Sequence, residues 1–198
     1  MQLLILIPIL LIALSIHEAA HAFVADKLGD PVPRAMGRVT LNPIKHLDPF
    51  GTAVLVFTAL FAPITFGWGK PVLFNPANLK NPKKDSGLVA IAGPASNITM
   101  AIIGILLILV IKDPIVTSVL QVFITLNVIL AAFNLLPIYP LDGFNFVTAF
   151  LPNNLSRDFA ETARYGNIVL ILLILTGAIS KILMPVVSAT FYLIKLVS

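Results

Sequence analysis

The chain has 198 residues, of which 58% are hydrophobic and only 11% charged, too apolar for a soluble domain to bury, so the composition points to a membrane protein. The formal net charge of +4 comes from basic residues in the loops between apolar runs, which fits the positive-inside rule and argues against a nucleic-acid-binding stripe. Cysteine is absent, which excludes disulfides and thiolate metal sites and leaves His, Asp and Glu as the side chains open to any metal.

The first apolar run covers about 3–25 and is broken only by Ser15, His17, Glu18 and His21 near its C-terminal end. It lacks a charged n-region and carries ionisable groups that a disposable leader would not need, so it reads as a retained span. Residues 26–50 carry Lys27, Arg34, Arg38 and Lys45 against Asp26, Asp30 and Asp48. Pro31, Pro33, Gly37, Pro43 and Pro49 argue against a long helix there, and Gly37-Arg38-Val39-Thr40-Leu41 reads as a short strand. Residues 50–66 are apolar but short, with Pro63 near their end, and 67–85 form a polar connection with Lys70, Lys80, Lys83 and Lys84.

Long apolar helices are predicted over 87–111 and 115–136, separated by Lys112-Asp113-Pro114. Pro137, Pro140 and Gly143 end the second. Residues 143–165 are mixed. The last apolar stretch, 166–197, is interrupted by Gly177, Lys181 and Pro185, and as one straight helix it would reach about 45 Å. That exceeds a bilayer core of roughly 30 Å, so the stretch is expected as a broken helix or as paired segments. The expected fold is an all-α membrane protein: a polytopic helical bundle with a re-entrant segment and room for a short β-strand or hairpin near the active site. A single domain is read over 1–198, with a core at 1–145 holding the site and a C-terminal hydrophobic part at 146–198.

His17-Glu18-Ala19-Ala20-His21 carries the chemistry. On a helix His17 and His21 lie one turn apart on one face, so both imidazoles can reach one ion. Glu18 lies about 100° round, placed to act as a general base on water without ligating the metal. A chance match is the bland alternative, but three ionisable or polar groups near membrane depth are costly and functional by default. Ala13, Ala19, Ala20 and Ala22 add small surfaces for close helix packing. Catalytic zinc commonly takes three protein ligands and keeps one position open. Asp142, in Pro137-Ile138-Tyr139-Pro140-Leu141-Asp142-Gly143, is the candidate third ligand, against the alternative of an ordinary loop carboxylate.

Topology bears on that choice. If 50–66 crossed the bilayer fully, the next two helices would deliver Asp142 to the face opposite His17. If 50–66 dips in and returns, the lysines of 67–85 stay in the cytoplasm and Asp142 arrives at the histidine side. Charge and metal geometry select the same arrangement, with the site toward the cytoplasmic half of the cell membrane. Non-helical backbone at that depth is tolerable where it lines a polar cavity.

With these residues the sequence resembles the site-2 protease family of intramembrane zinc metalloproteases, and among them the compact prokaryotic members without PDZ or CBS domains. Further matching stretches are Asn42-Pro43-Ile44-Lys45-His46-Leu47-Asp48-Pro49, Gly67-Trp68-Gly69-Lys70-Pro71-Val72 with Asn75-Pro76, Gly93-Pro94-Ala95-Ser96-Asn97 and Asn134-Leu135-Leu136-Pro137. The matches span about residues 13–145. The resemblance implies one zinc ion (Zn2+) per chain on His17, His21 and Asp142, with Glu18 as general base. It implies that Asn134 stabilises the oxyanion or holds the substrate backbone, against the alternative of a helix-packing amide. It also implies transmembrane protein substrates, cleaved in regulated intramembrane proteolysis.

Phe144 stands where family members often have a second glycine after Leu-Asp-Gly, which bears on loop packing. Asn97 reads as structural or substrate-facing, and His46 as a loop residue or one supporting the ligands. The lysines at 80–84 read as a face meeting anionic lipid, and Trp68 as an interfacial anchor. Membrane lipid is an expected partner and nucleic acid is not. Two other function classes stand against the protease: a membrane zinc-binding transporter, which would not require Glu18 at its offset, and a non-catalytic membrane adaptor.

Overall fold

A computed structural model describes residues 2–61 and 67–197. Its helices are α1 Gln2–Lys27, α2 Val32–Ala35, α3 Pro49–Phe61, α4 Pro82–Val110, α5 Pro114–Asn134, α6 Asp142–Phe150, α7 Asn153–Glu161, α8 Ala163–Leu175 and α9 Ala178–Val197. Among the described residues, four helices are long and apolar enough to cross a membrane: Ile5–Lys27, Pro82–Val110, Pro114–Asn134 and Ala178–Leu196. The protein is thus all-α and multi-pass, as expected.

The bundle centre is α4, which packs on α1, α5 and α6. Close approach rests on small residues: Ala13, Ala22 and Ala25 of α1 are fully buried. At Gly104 a side-chain Cβ would lie 2.6 Å from the Ile124 side chain, so glycine there makes room for Ile124 of α5 against α4. Pro114 begins α5 where the missing N–H is harmless. Asp113 caps that helix by accepting from the N–H groups of Ile115 and Val116, which sets the reversal after α4. Ile194 of α9 joins Ala101, Ile108 and Ile124 in a buried apolar cluster. Outward faces remain apolar, with Ile102, Leu106, Ile115 and Leu193 exposed, as lipid contact requires.

Helix α3 has 13 residues and spans ~20 Å, short of a crossing. The chain is back beside its first turns at Gly67 and Trp68. A Cβ on Gly51 would lie 2.2 Å from the Trp68 carbonyl oxygen, and one on Gly67 would lie 2.5 Å from Leu55 Cβ. Both ends of this excursion therefore sit on one side of the bundle, which is the re-entrant arrangement. Pro63 and its neighbours at 62–66 lie outside the described residues.

The strand read at 37–41 is not formed. Gly37 turns with φ +66°, and the Arg38 N–H donates to the Pro33 carbonyl rather than across to a partner strand. Among the described residues the β-structure is one isolated antiparallel bridge, Leu47 with Gly69. The alternative left at 166–197 resolves into two helices. Gly177 takes φ +70° between α8 and α9, a left-handed turn that an L side chain would strain.

Candidate metal centre

Three elements converge at the site. α1 supplies His17 and His21, whose rings meet edge-on with centroids 4.7 Å apart. α4 packs directly against both rings. A Cβ on Gly93 would lie 2.4 Å from His21 Nε2 and 2.5 Å from His17 Nε2, so glycine is what lets the helix approach. α6 begins with Asp142, placed by a tight turn in which Ile138 N–H donates to Leu136 and Leu141 N–H to Ile138. Gly143 completes that placement, since a Cβ there would meet the Leu135 carbonyl oxygen at 2.2 Å.

Asp142 Oδ2 lies 3.0 Å from His17 Nε2 and 3.3 Å from His21 Nε2, and the two Nε2 atoms are 3.1 Å apart. The Nδ1 atoms decide what these contacts are. His21 Nδ1 is 2.7 Å from the Val89 carbonyl oxygen, which can only accept, so this nitrogen carries the proton. His17 Nδ1 is 2.7 Å from Asn97 Oδ1 and donates likewise. Neutral imidazoles so arranged turn two Nε2 lone pairs toward each other and toward a carboxylate. The Nε2 pair is then not a hydrogen bond, and buried Asp142 Oδ2 has no hydrogen-bond partner among the described residues. A divalent cation resolves all three conflicts. A tetrahedral ion with arms of about 2.0–2.1 Å spaces its ligands by roughly 3.3 Å, close to the separations found. The donor set, two imidazoles and a carboxylate, fits zinc.

Glu18 lines the same cavity, about 220 Å³ in volume, together with Asn134, Pro140, Val72 and Asn145. Its Oε2 accepts the Val72 N–H at 3.1 Å. The segment carrying Val72 is held by Arg38, which is almost fully buried and donates to the carbonyl oxygens of Lys45, Lys70 and Pro71. Asn134 Nδ2 donates to Leu130 one turn earlier, at 2.9 Å, leaving its second N–H for the cavity. His17 and His21 lie ~15 and ~9 Å along α1 from its end at Lys27, so the site sits below that end of the bundle.

The structure brings His17, Glu18, His21, Asn134 and Asp142 to one cavity. Asn97 is fully buried behind His17, so its substrate-facing reading is replaced by a ligand-supporting one. His46 stands apart from the ligand atoms, with Nε2 bonded to the Thr40 carbonyl. Phe144 is buried, stacked on Phe159 and edge-on to Tyr139, and fastens the Asp142 turn to α7. Lys83 is spent on the Leu151 carbonyl and Asn153, while Lys80 and Lys84 are exposed. Trp68 packs against Phe50. Sequence reasoning missed Val72, Arg38 and Asn127. Only Asn127 had a signal, an amide within an apolar helix.

The description "Peptidase family M50" matches residues 110–175, a stretch that includes Asn134 and Asp142. The chain is 36% identical over 194 residues to "Putative zinc metalloprotease YwhC" of Bacillus subtilis (strain 168), covering 93% of this chain and 86% of that protein. It is 29% identical over 177 residues to "Putative zinc metalloprotease Rip2" of Mycolicibacterium smegmatis, covering 86% of this chain and 66% of that one. The Mycobacterium tuberculosis protein of the same name is 28% identical over 179 residues, with the same two shares. No solved structure gives a significant match.

Proposed function

The chain belongs to peptidase family M50, the zinc metalloproteases of site-2 type, and from that premise we propose that it hydrolyses peptide bonds within transmembrane segments of other membrane proteins. The observation that carries the reading is the meeting of His17, His21 and Asp142 ligand atoms beside the Glu18 carboxylate, in one cavity below the end of a membrane helix. A site at that depth is reached by peptide lying in the bilayer, after local unwinding frees the scissile carbonyl from its helix.

His17, His21 and Asp142 would hold the ion. Zinc supplies Lewis-acid polarisation of a carbonyl and makes water acidic near neutrality. Glu18 takes the proton of the attacking water as its oxygen bonds to the scissile carbon, and returns it to the amine as the C–N bond breaks. The Val72 N–H keeps the Glu18 carboxylate in place for both transfers. The second amide hydrogen of Asn134 is disposed to donate to the oxyanion. Lys27, Arg34, Lys45, Lys80 and Lys84 lie in segments at the site end of the bundle, which by the positive-inside rule faces the cytoplasm. Substrate release from that side suits regulated intramembrane proteolysis.

The test uses purified full-length protein in bilayers with a single-span membrane protein as substrate. Wild type cleaves and a chelator stops it. Glu18→Gln binds zinc stoichiometrically and loses at least ~10²-fold in rate. Equal cleavage by wild type and Glu18→Gln would remove the assignment, and zinc flux without proteolysis would replace it with transport.

A further inference from the structure

Asn127 lies on α5 and does not line the site cavity, yet it is completely buried, as is Asn97. We propose that Asn127 is a positioning residue for the metal centre, fixing through Asn97 which nitrogen of His17 faces the ion. The inference rests on reading His17 as a ligand.

The direction of every bond in the chain follows from its ends. Asn127 Nδ2 is 2.9 Å from the Phe123 carbonyl oxygen, an atom that can only accept, so the amide nitrogen must face it. Asn127 Oδ1 is thereby turned toward Asn97, whose Nδ2 donates to it at 2.9 Å. The same Nδ2 is 3.3 Å from the Ala13 carbonyl oxygen, a second acceptor that cannot donate. With its nitrogen committed on that side, Asn97 presents Oδ1 to His17 Nδ1, which must donate. In the neutral ring the proton therefore sits on Nδ1 and the lone pair on Nε2, the atom 3.0 Å from Asp142 Oδ2. The two amides are closed off from solvent and His17 is nearly so, and each link between them is a direct hydrogen bond.

Without Asn127 the Asn97 amide is held in this sense only by the longer bond to Ala13. It can then turn over and offer N–H to His17 Nδ1, which favours the tautomer with its proton on Nε2, pointed into the metal site. Support of a histidine ligand through its other nitrogen is typically worth 10–100-fold in metal affinity. Asn97→Ala is expected to weaken zinc binding within that range, and Asn127→Leu by about 10-fold. Asn127→Asp, as a neutral acid, keeps a donor for Phe123 and an acceptor for Asn97, and is expected to recover most of the loss.

Zinc dissociation constants of the purified full-length chain, measured by chelator competition, test this in a double-mutant cycle, with metal-free thermal unfolding confirming that each variant is folded. The expected result is that Asn127→Leu adds nothing once Asn97→Ala is present. Wild-type affinity in Asn127→Leu, or losses that add in full, would overturn the inference. If Asn127→Leu does not fold, Asn127→Ala takes its place in the cycle with the same expectations. Failure of the wild-type chain to bind zinc would instead overturn the metal-centre reading, and this inference with it.

Discussion

The helical wall of the site, α1 with α4 and α5, and the largely irregular cap over it, residues 28–48 and 67–81, use their buried polar groups differently. In the wall the backbone satisfies itself within each helix, so His17, His21, Asn97 and Asn127 are free to address one another and an ion. In the cap few backbone groups have a helical partner, and buried side chains supply what is missing. Arg38 binds three carbonyl groups, and Asp30 accepts from the N–H groups of Val32 and Asn75 and from the Asn78 amide. His46 takes the Thr40 carbonyl. Leu41 and Ile44 point outward meanwhile, 72% and 76% exposed. Polar groups serve chemistry in the wall and architecture in the cap, because a buried backbone group without a partner is costly wherever it lies.

That contrast breaks most sharply at Gly93. Gly93→Ala places a carbon 2.4–2.5 Å from both imidazoles, so zinc affinity should fall by more than about 10²-fold while helical circular dichroism is unchanged. Retained affinity would show that the wall tolerates a wider spacing than its geometry implies.

Arg38 tests the cap from the other side. Arg38→Ala releases Lys70 and Pro71, and with them the Val72 N–H that holds Glu18. Turnover should fall on the order of 10²-fold, as a misplaced catalytic group does, with zinc stoichiometry intact. Loss of zinc in this variant would mean that cap and wall are not separable.

Asp30 gives the smallest effect. Burial raises its carboxyl pKa, but the Asn78 amide and the N–H groups of Asn75 and Val32 outweigh that and hold it below the usual carboxylate range. Its contribution is thus present above about pH 4, the unfolded value, and is lost as pH falls through the lower folded value. Asp30→Asn should lower thermal stability at pH 7 by about 1–2 kcal/mol and change it less than wild type on acidification. Parallel pH profiles for the two proteins would deny Asp30 this role.

Local periodicity made part of this legible without a structure. The five-residue motif places two histidines on one helical face whatever surrounds it, and apolar length alone announced most of the spans. The re-entrant segment was also reachable, because only that path returns basic loops and Asp142 to the histidine side. The residue types at 37–41 allow a strand, but they do not report that Arg38 turns inward to the distant carbonyl groups of Lys45, Lys70 and Pro71. Sequence alone does not choose between a structural and a substrate-facing Asn97 for the same reason: its partners lie 80 and 30 residues away.

Sequence by itself determined the membrane setting, the helical histidine pair and its neighbouring glutamate, since these depend on composition and on a period of a few residues. Tertiary structure decided that Asp142 meets the histidine pair, that Asn97 and Asn127 line up on the Nδ1 side of His17, and that Val72, on a segment bonded by Arg38, reaches Glu18. Those contacts join stretches far apart in the chain, and their geometry exists only once helices have packed to the distance that Gly93 permits.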